Sequence, residues 1–159
     1  MHWKVRRDFL SRVEIFEQLS KRDLKAVAKS CSENDFIDGE YLCHQNERGV
    51  AAFLIISGQV EVISEFENGD KVLLATLGQG TFVGELSIID GADRVASIKA
   101  KGDVETLVLT QWAMQGLLKN KPSIAAQMLP IIVKRFRETT DELRRHNVES
   151  DTGRTSTYS

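Results

Sequence analysis

Between residues 33 and 109 the chain is cut into short apolar runs by glycine-bearing turn sequences: Asp38-Gly39, Ser57-Gly58, Asn68-Gly69-Asp70 and Gly78-Gln79-Gly80. Glycine and asparagine accept the positive φ that tight turns need, so this cadence selects strands over helices. Phe53-Leu54-Ile55-Ile56 reads as one strand, Ser57-Gly58 as a tight turn and Gln59 onward as the next strand. Val60, Val62 and Ser64 then alternate with Gln59, Glu61, Ile63 and Glu65, the period of a half-buried strand. Asn68-Gly69 predicts a hairpin joining 59–66 to 71–77. Short strands at this spacing make a roll or a barrel.

Helical patterns flank this region. Residues 6–31 read as helical, with Phe9, Leu10, Val13 and Phe16 in one amphipathic segment and Leu24, Val27, Ala28 and Cys31 in another. Ser20 with Asp23 three positions on forms a short capping box, and Leu19 with Leu24 a hydrophobic staple. On the C-terminal side, Thr110 caps a short helix through Leu118, and Pro122 opens a long one expected to end near Asn147. Pro130 inside that helix kinks it or removes one hydrogen bond. Ile124, Met128, Ile131, Ile132, Phe136, Thr139 and Leu143 recur at three or four residues, while Leu129, Val133 and Phe136 are offset from Ile124, Met128 and Ile132. The helix therefore has apolar residues for its own roll and for a partner helix. The polar residues 148–159 read as a disordered tail.

Composition narrows the function. A formal net charge of −2 leaves no electrostatic footprint for nucleic acid. No apolar run approaches the roughly twenty residues of a spanning helix, and the basic start MHWKVRR precedes no signal-like apolar core, so the chain reads as cytoplasmic. Cys31 and Cys43 share no ligand spacing and read as reduced thiols, and His2, His44 and His146 are scattered. Neither a metal site nor a catalytic arrangement is expected, and the chain is not expected to be an enzyme.

The most specific stretch is Gly80 to Ala100, GTFVGELSIIDGADRVASIKA. It sets Glu85 after Gly84 on a glycine-bounded turn and Arg94 nine residues later, before a strand-like run. A carboxylate accepts hydrogen bonds from hydroxyls, and a guanidinium pairs with phosphate through a planar fork of donors. Val83-Gly84-Glu85-Leu86-Ser87-Ile88-Ile89 followed by Asp90-Gly91-Ala92-Asp93-Arg94-Val95-Ala96-Ser97-Ile98 resembles the phosphate-binding cassette of cyclic nucleotide-binding domains. The likeness extends over about residues 9–147.

The resemblance implies a mainly β fold with flanking α: a double-stranded β-helix, or eight-stranded jelly-roll-like β-roll, over about 33–109, with N-terminal helices and a long C-terminal helix over about 122–147. It implies a single domain over 1–147. Its ligand-binding residues would be Val83, Gly84, Glu85, Leu86, Arg94, Val95 and Ala96, with Glu85 on a ribose 2′-hydroxyl and Arg94, otherwise a solvated loop arginine, on a cyclic phosphate. Backbone N–H groups of the short helix after Gly84 would assist. Lys134-Arg135-Phe136-Arg137-Glu138-Thr139-Thr140-Asp141 resembles the family stretch that places Thr139 and Thr140 on the adenine, one hydroxyl from each subunit of a homodimer. Two positions depart from the pattern: Val95 carries no hydroxyl, and Asp93 sets a negative charge beside Arg94. Asn46, in Gln45-Asn46-Glu47, replaces a customary turn glycine, a mild change because asparagine tolerates the left-handed region.

The expected function is a stand-alone cyclic nucleotide-binding regulatory domain in signal transduction. It prefers cAMP to cGMP, needs no cofactor, dimerises through the C-terminal helix and acts on an effector protein of unknown identity. No helix-turn-helix follows the long helix, so DNA binding by this chain and membrane association are not expected. The alternative is a degenerate domain of the same fold that serves as a protein-interaction or dimerisation module.

Overall fold

The computed structural model describes the backbone of residues 1–158 and the side chains of residues 1–149. The chain opens with helix α1 (Trp3–Leu10), a 3₁₀ turn (Glu14–Phe16) and helix α2 (Lys21–Ser30). The strands are β1 (Ser32–Phe36), β2 (Tyr41–Cys43), β3 (Ala51–Glu65), β4 (Lys71–Leu77), β5 (Phe82–Val83) and β6 (Ser97–Thr110), with the short helix α3 (Ser87–Asp90) between β5 and β6. Helices α4 (Gln111–Asn120) and α5 (Pro122–Tyr158) follow. The pairing is antiparallel, in the order β1-β6-β3-β4, with β2 also on β6 and β5 also on β3.

Two very long strands explain how six strands make the expected eight-stranded roll. β3 and β6 pair along most of their lengths, but their register shifts around Ser57 and Gln59. Gly58 there has φ of +89°, and Gly102 on the facing strand has φ of +74°. Ser57-Gly58 is thus a bulge within one strand and not the tight turn the sequence indicates. Each long strand bends at its glycine and serves two arms of the roll, and the extra residue of a bulge supplies such a bend. The β3–β4 hairpin forms where Asn68-Gly69 places it, with Glu65 opposite Lys71 and Val60 opposite Leu77.

The first arm of β3 is buried on both faces, which is why it reads as a continuous apolar run. Phe53 and Ile55 join Phe36, Val60, Ile98 and Val104 inside the roll. Ala52, Leu54 and Ile56 face outward onto a second core built from Phe16, Val27, Met114, Ile124 and Met128 of the helical elements. The expected caps are present: Asp23 N–H donates to Ser20 Oγ at 3.2 Å and Ala113 N–H to Thr110 Oγ1 at 3.0 Å.

α5 divides its apolar residues between two faces. Ile124, Met128 and Ile131 are buried against the rest of the chain, with Ile132 packed against the same core. Leu129, Val133, Phe136, Leu143 and Val148 are exposed. Pro130 sits on the exposed side, and the helix runs through it. It also continues past Asn147 through Val148 and Glu149. The rest of the expected tail lies outside the residues whose side chains are described. Among the described residues no helix is long and apolar enough to cross a membrane.

Candidate nucleotide site

Strand β5, helix α3 and the start of β6 enclose a cavity of about 450 Å³ against the inner face of the roll. Val83, Gly84, Leu86, Arg94, Val95 and Ala96 all line it, with Phe53 and Val62 from β3 behind them. Backbone chemistry sets the loop. Gly84 has φ of +79° and turns the chain out of β5. Gly91, at φ of +69°, ends α3 with its N–H donating to the Ser87 carbonyl at 2.7 Å. The turn at Gln45-Asn46-Glu47 supports the loop from below. Asn46 has φ of 69°, the one non-glycine with positive φ among the described residues. Its N–H donates to the Arg94 carbonyl at 2.8 Å, and Arg94 N–H donates to the Glu47 carbonyl at 2.7 Å.

Arg94 is not a solvated loop residue. Only 8% of it is exposed, and its Nη2 donates to the Ala51 carbonyl. Its buried Nε has no hydrogen-bond partner, and among the described residues it forms no ion pair. Asp93 is exposed at the same cavity and bridges Arg48 through its backbone; it does not pair with its neighbour. Val95 is 90% exposed, so the position that lacks a hydroxyl is open to a ligand. Cys43 also lines the cavity, and burial pushes its thiol pKa up against the opposing pull of the Arg94 charge.

Glu85, Thr139 and Thr140 are not among the cavity-lining residues. Glu85 reaches α5 and pairs with Nη1 of Arg135, while Arg135 Nε donates to Oε1 of Glu14 at 2.7 Å. Burial works against the Arg135 cation, but hydrogen bonds to Glu85 and Glu14 outweigh it and raise its pKa. The hydrogen bond from Arg135, reinforced by its charge, holds Glu14 below the usual carboxylate range. Thr139 is exposed, and Thr140 Oγ1 donates to the Phe136 carbonyl at 2.8 Å. Sequence reasoning missed Arg135 and Glu14. The available signal was Arg135 four residues before Thr139, on the same helix face.

This arrangement suits a small anion with an apolar body. One buried cation forms no ion pair among the described residues, the walls are largely apolar apart from Ser87, Asp90 and Asp93, and Glu85 lies in sequence between the lining residues Gly84 and Leu86. The comparisons with known proteins agree. A family model described as the cyclic nucleotide-binding domain matches residues 33–121. The CRP-like cAMP-activated global transcriptional regulator of Mycobacterium tuberculosis is 28% identical over 136 residues, which cover 86% of this chain and 61% of that protein. This chain therefore matches about three fifths of the regulator's length. A cGMP-dependent protein kinase of Caenorhabditis elegans is 32% identical over 119 residues, 74% of this chain and 15% of the kinase. Among solved structures, the N-terminal domain of a transcriptional regulator from Streptomyces coelicolor superposes with a TM-score of 0.78 at 28% identity, covering 84% of this chain and 96% of that one.

Proposed function

This chain belongs to the cyclic nucleotide-binding domain family, and from that premise we propose that it is a cAMP-preferring regulatory domain that works as a dimer through α5. The observation that carries the reading is Arg94, a cation 8% exposed that forms no ion pair among the described residues, in a cavity wall that also carries Asp90 and Asp93. A buried unpaired charge is unfavourable, and a cyclic phosphate would relieve it. The sugar would lie toward Glu85 and the base toward α5. Val95 offers the phosphate a backbone N–H but no hydroxyl, so affinity in the micromolar range or weaker is expected.

The threonines take separate roles in this reading. Thr139 lies one turn beyond Arg135, the residue that meets Glu85, and so shares the face turned toward its own site. Thr140 lies one turn beyond Phe136 on the exposed face. There Leu129, Val133, Phe136, Thr140, Leu143 and Asn147 alternate at four and three residues, the spacing of a coiled-coil seam. Polar Thr140 and Asn147 within an apolar seam would fix register. A dimer would bring Thr140 of one subunit to the base held by the other, which favours adenine. The regulatory step is then the difference in contacts that α5 makes with an empty and a filled site.

One observation favours the second reading, a module that has lost its ligand: protein groups already engage both charged residues of the cassette, Arg94 through Ala51 and Glu85 through Arg135. Calorimetric titration with cAMP and cGMP separates the two. Binding of cAMP at micromolar to high-micromolar concentration, tighter than cGMP, supports the first reading. No heat and no thermal shift at millimolar cAMP leaves the second.

A further inference from the structure

Glu14 stands about seventy positions before the cassette, at the start of the 3₁₀ turn, yet it takes part in the same charge cluster. Arg135 on α5 divides its guanidinium between two carboxylates. Nε donates to Glu14 Oε1 at 2.7 Å, and Nη1 pairs with Glu85 Oε1. Arginine otherwise favours a bidentate fork, in which two parallel N–H groups meet both oxygens of one carboxylate. Here Glu14 anchors the guanidinium at Nε and so sets its orientation, in which Nη1 meets one oxygen of Glu85. Oε2 of Glu85 has no partner among the described residues.

We propose that Glu14 is a positioning residue of the nucleotide site: it keeps Arg135 from capturing both oxygens of Glu85, so Oε2 stays open to a ligand hydroxyl. The inference rests on the reading of Glu85 as the ribose acceptor. It adds a role for a residue outside the matched segment 33–121 and makes the N-terminal turn part of the binding equilibrium. Without Glu14, the guanidinium loses its anchor and can turn to present two N–H groups to Glu85 as a fork. The carboxylate is then satisfied by protein alone, and a 2′-hydroxyl must displace an ion pair. An analogue without the hydroxyl asks nothing of Glu85, so the loss of Glu14 should leave its binding unchanged.

That difference supplies a readout a structural role would not move. cAMP and 2′-deoxy-cAMP are titrated into the parent chain, Glu14→Ala and Glu14→Gln, with thermal melts of each. The Glu14 side chain is 44% exposed, so both variants should fold. In the parent, cAMP should bind more tightly than the deoxy ligand. In Glu14→Ala the cAMP affinity should fall about fivefold to tenfold with the deoxy affinity steady, within the range of coupling between groups of one network. Glutamine keeps an acceptor for Nε, so Glu14→Gln should recover part of the ratio. Equal losses for both ligands, or a lowered melting temperature with an unchanged ratio, overturn the role of Glu14 and leave the site reading intact. A parent that binds neither ligand overturns the site reading, and this role with it. A parent that binds cAMP without preferring the ribose removes the hydroxyl contact on Glu85, and the role of Glu14 fails on that ground alone.

Discussion

The guanidinium of Arg94 occupies the space where a β-carbon on Gly84 would stand. Arg94 is inserted beneath the turn that leaves β5, and the turn can close over it because residue 84 has no side chain. Gly84 also holds φ of +79°, a region that other residues enter only with strain. The two cassette positions are thus a single packed unit, and the Gly84–Glu85 turn is shaped around the arginine.

Gly84→Ala should therefore damage both stability and binding. The strain of a left-handed alanine, together with displacement of the guanidinium, should cost about 1–3 kcal/mol. Urea denaturation would show a lower midpoint with an unchanged slope, and the cAMP-induced rise in melting temperature would shrink or vanish. A variant as stable as the parent would mean that the turn relaxes freely.

Arg94→Met tests the buried cation. Methionine replaces most of the volume and removes a charge that forms no ion pair among the described residues. Such replacements are often neutral or stabilising. The free protein should melt at the same temperature or higher, while cAMP affinity falls about a hundredfold through loss of charge-assisted hydrogen bonds. Thermal melts with and without ligand would check both halves. A strongly destabilised variant would show that the bond to the Ala51 carbonyl, and not ligand binding, is why arginine stands there.

Much of this architecture was legible in the sequence, for local reasons. Asn68-Gly69 specifies its hairpin because positive φ there is written into residue type. Ser20, Thr110 and Pro122 mark helix starts through their own hydrogen-bonding and ring geometry. Asn46 adopts the left-handed conformation expected of it. The errors concern long-range partners. Ser57-Gly58 looks like a turn because a glycine with positive φ serves a turn and a bulge alike. The choice depends on β6, more than forty residues away. Arg94 reads as solvated because nothing nearby announces the Ala51 carbonyl above it. The spacing of the α5 stripe indicates two apolar faces but does not reveal which residues its own roll covers. Arg135 was overlooked because its two carboxylates are 50 and 121 residues distant.

The bulge makes a prediction with an internal control. A β-carbon on Gly58 would collide with the Asp103 carbonyl, whereas one on Gly39 meets nothing within 4 Å. Both glycines have similar positive φ, 89° and 85°. Gly39→Ala should cost only the conformational strain, about 1 kcal/mol. Gly58→Ala should cost that and a further 1–3 kcal/mol of overpacking against backbone. Equal denaturation midpoints for the two variants would remove the close approach of β3 and β6 as the reason for glycine at 58.

The two faces of α5 make a paired test of assembly. Phe136 and Leu143 are 72% and 57% exposed, and Met128 is 2% exposed. Phe136→Asp or Leu143→Asp should leave a folded chain and give a monomer by light scattering, because an unpaired charge would be buried in the seam. Met128→Asp should unfold the chain or lower its stability by several kcal/mol whatever the assembly state. A parent that is already monomeric at high micromolar concentration defeats the dimer. Thr140→Ala should then leave the ratio of cAMP to cGMP affinity unchanged.

Asp23 ties the start of α2 to the start of α5, and it should make the helical layer sensitive to acid. The buried carboxylate accepts from Ser123 Oγ and from Gln127 Nε2, each at 2.7 Å. The Ser123 hydrogen bond is the main cause of its lowered pKa; burial opposes it, and Gln127 and the Lys121 charge add to it. A carboxyl whose folded pKa lies below its unfolded value of about 3.9 contributes stability that is fully present above that value. The contribution is lost as pH falls from there through the folded pKa. Asp23→Asn keeps the shape and removes the charge. At pH 7 it should be less stable than the parent by about 1–3 kcal/mol, the scale of hydrogen bonds to a charged group. The gap should close as both proteins are taken below pH 4. Urea midpoints measured from pH 7 to pH 2.5 would show the two curves converging. A constant gap across that range would mean that the network stabilises through shape and neutral hydrogen bonds, with no contribution from the charge on Asp23.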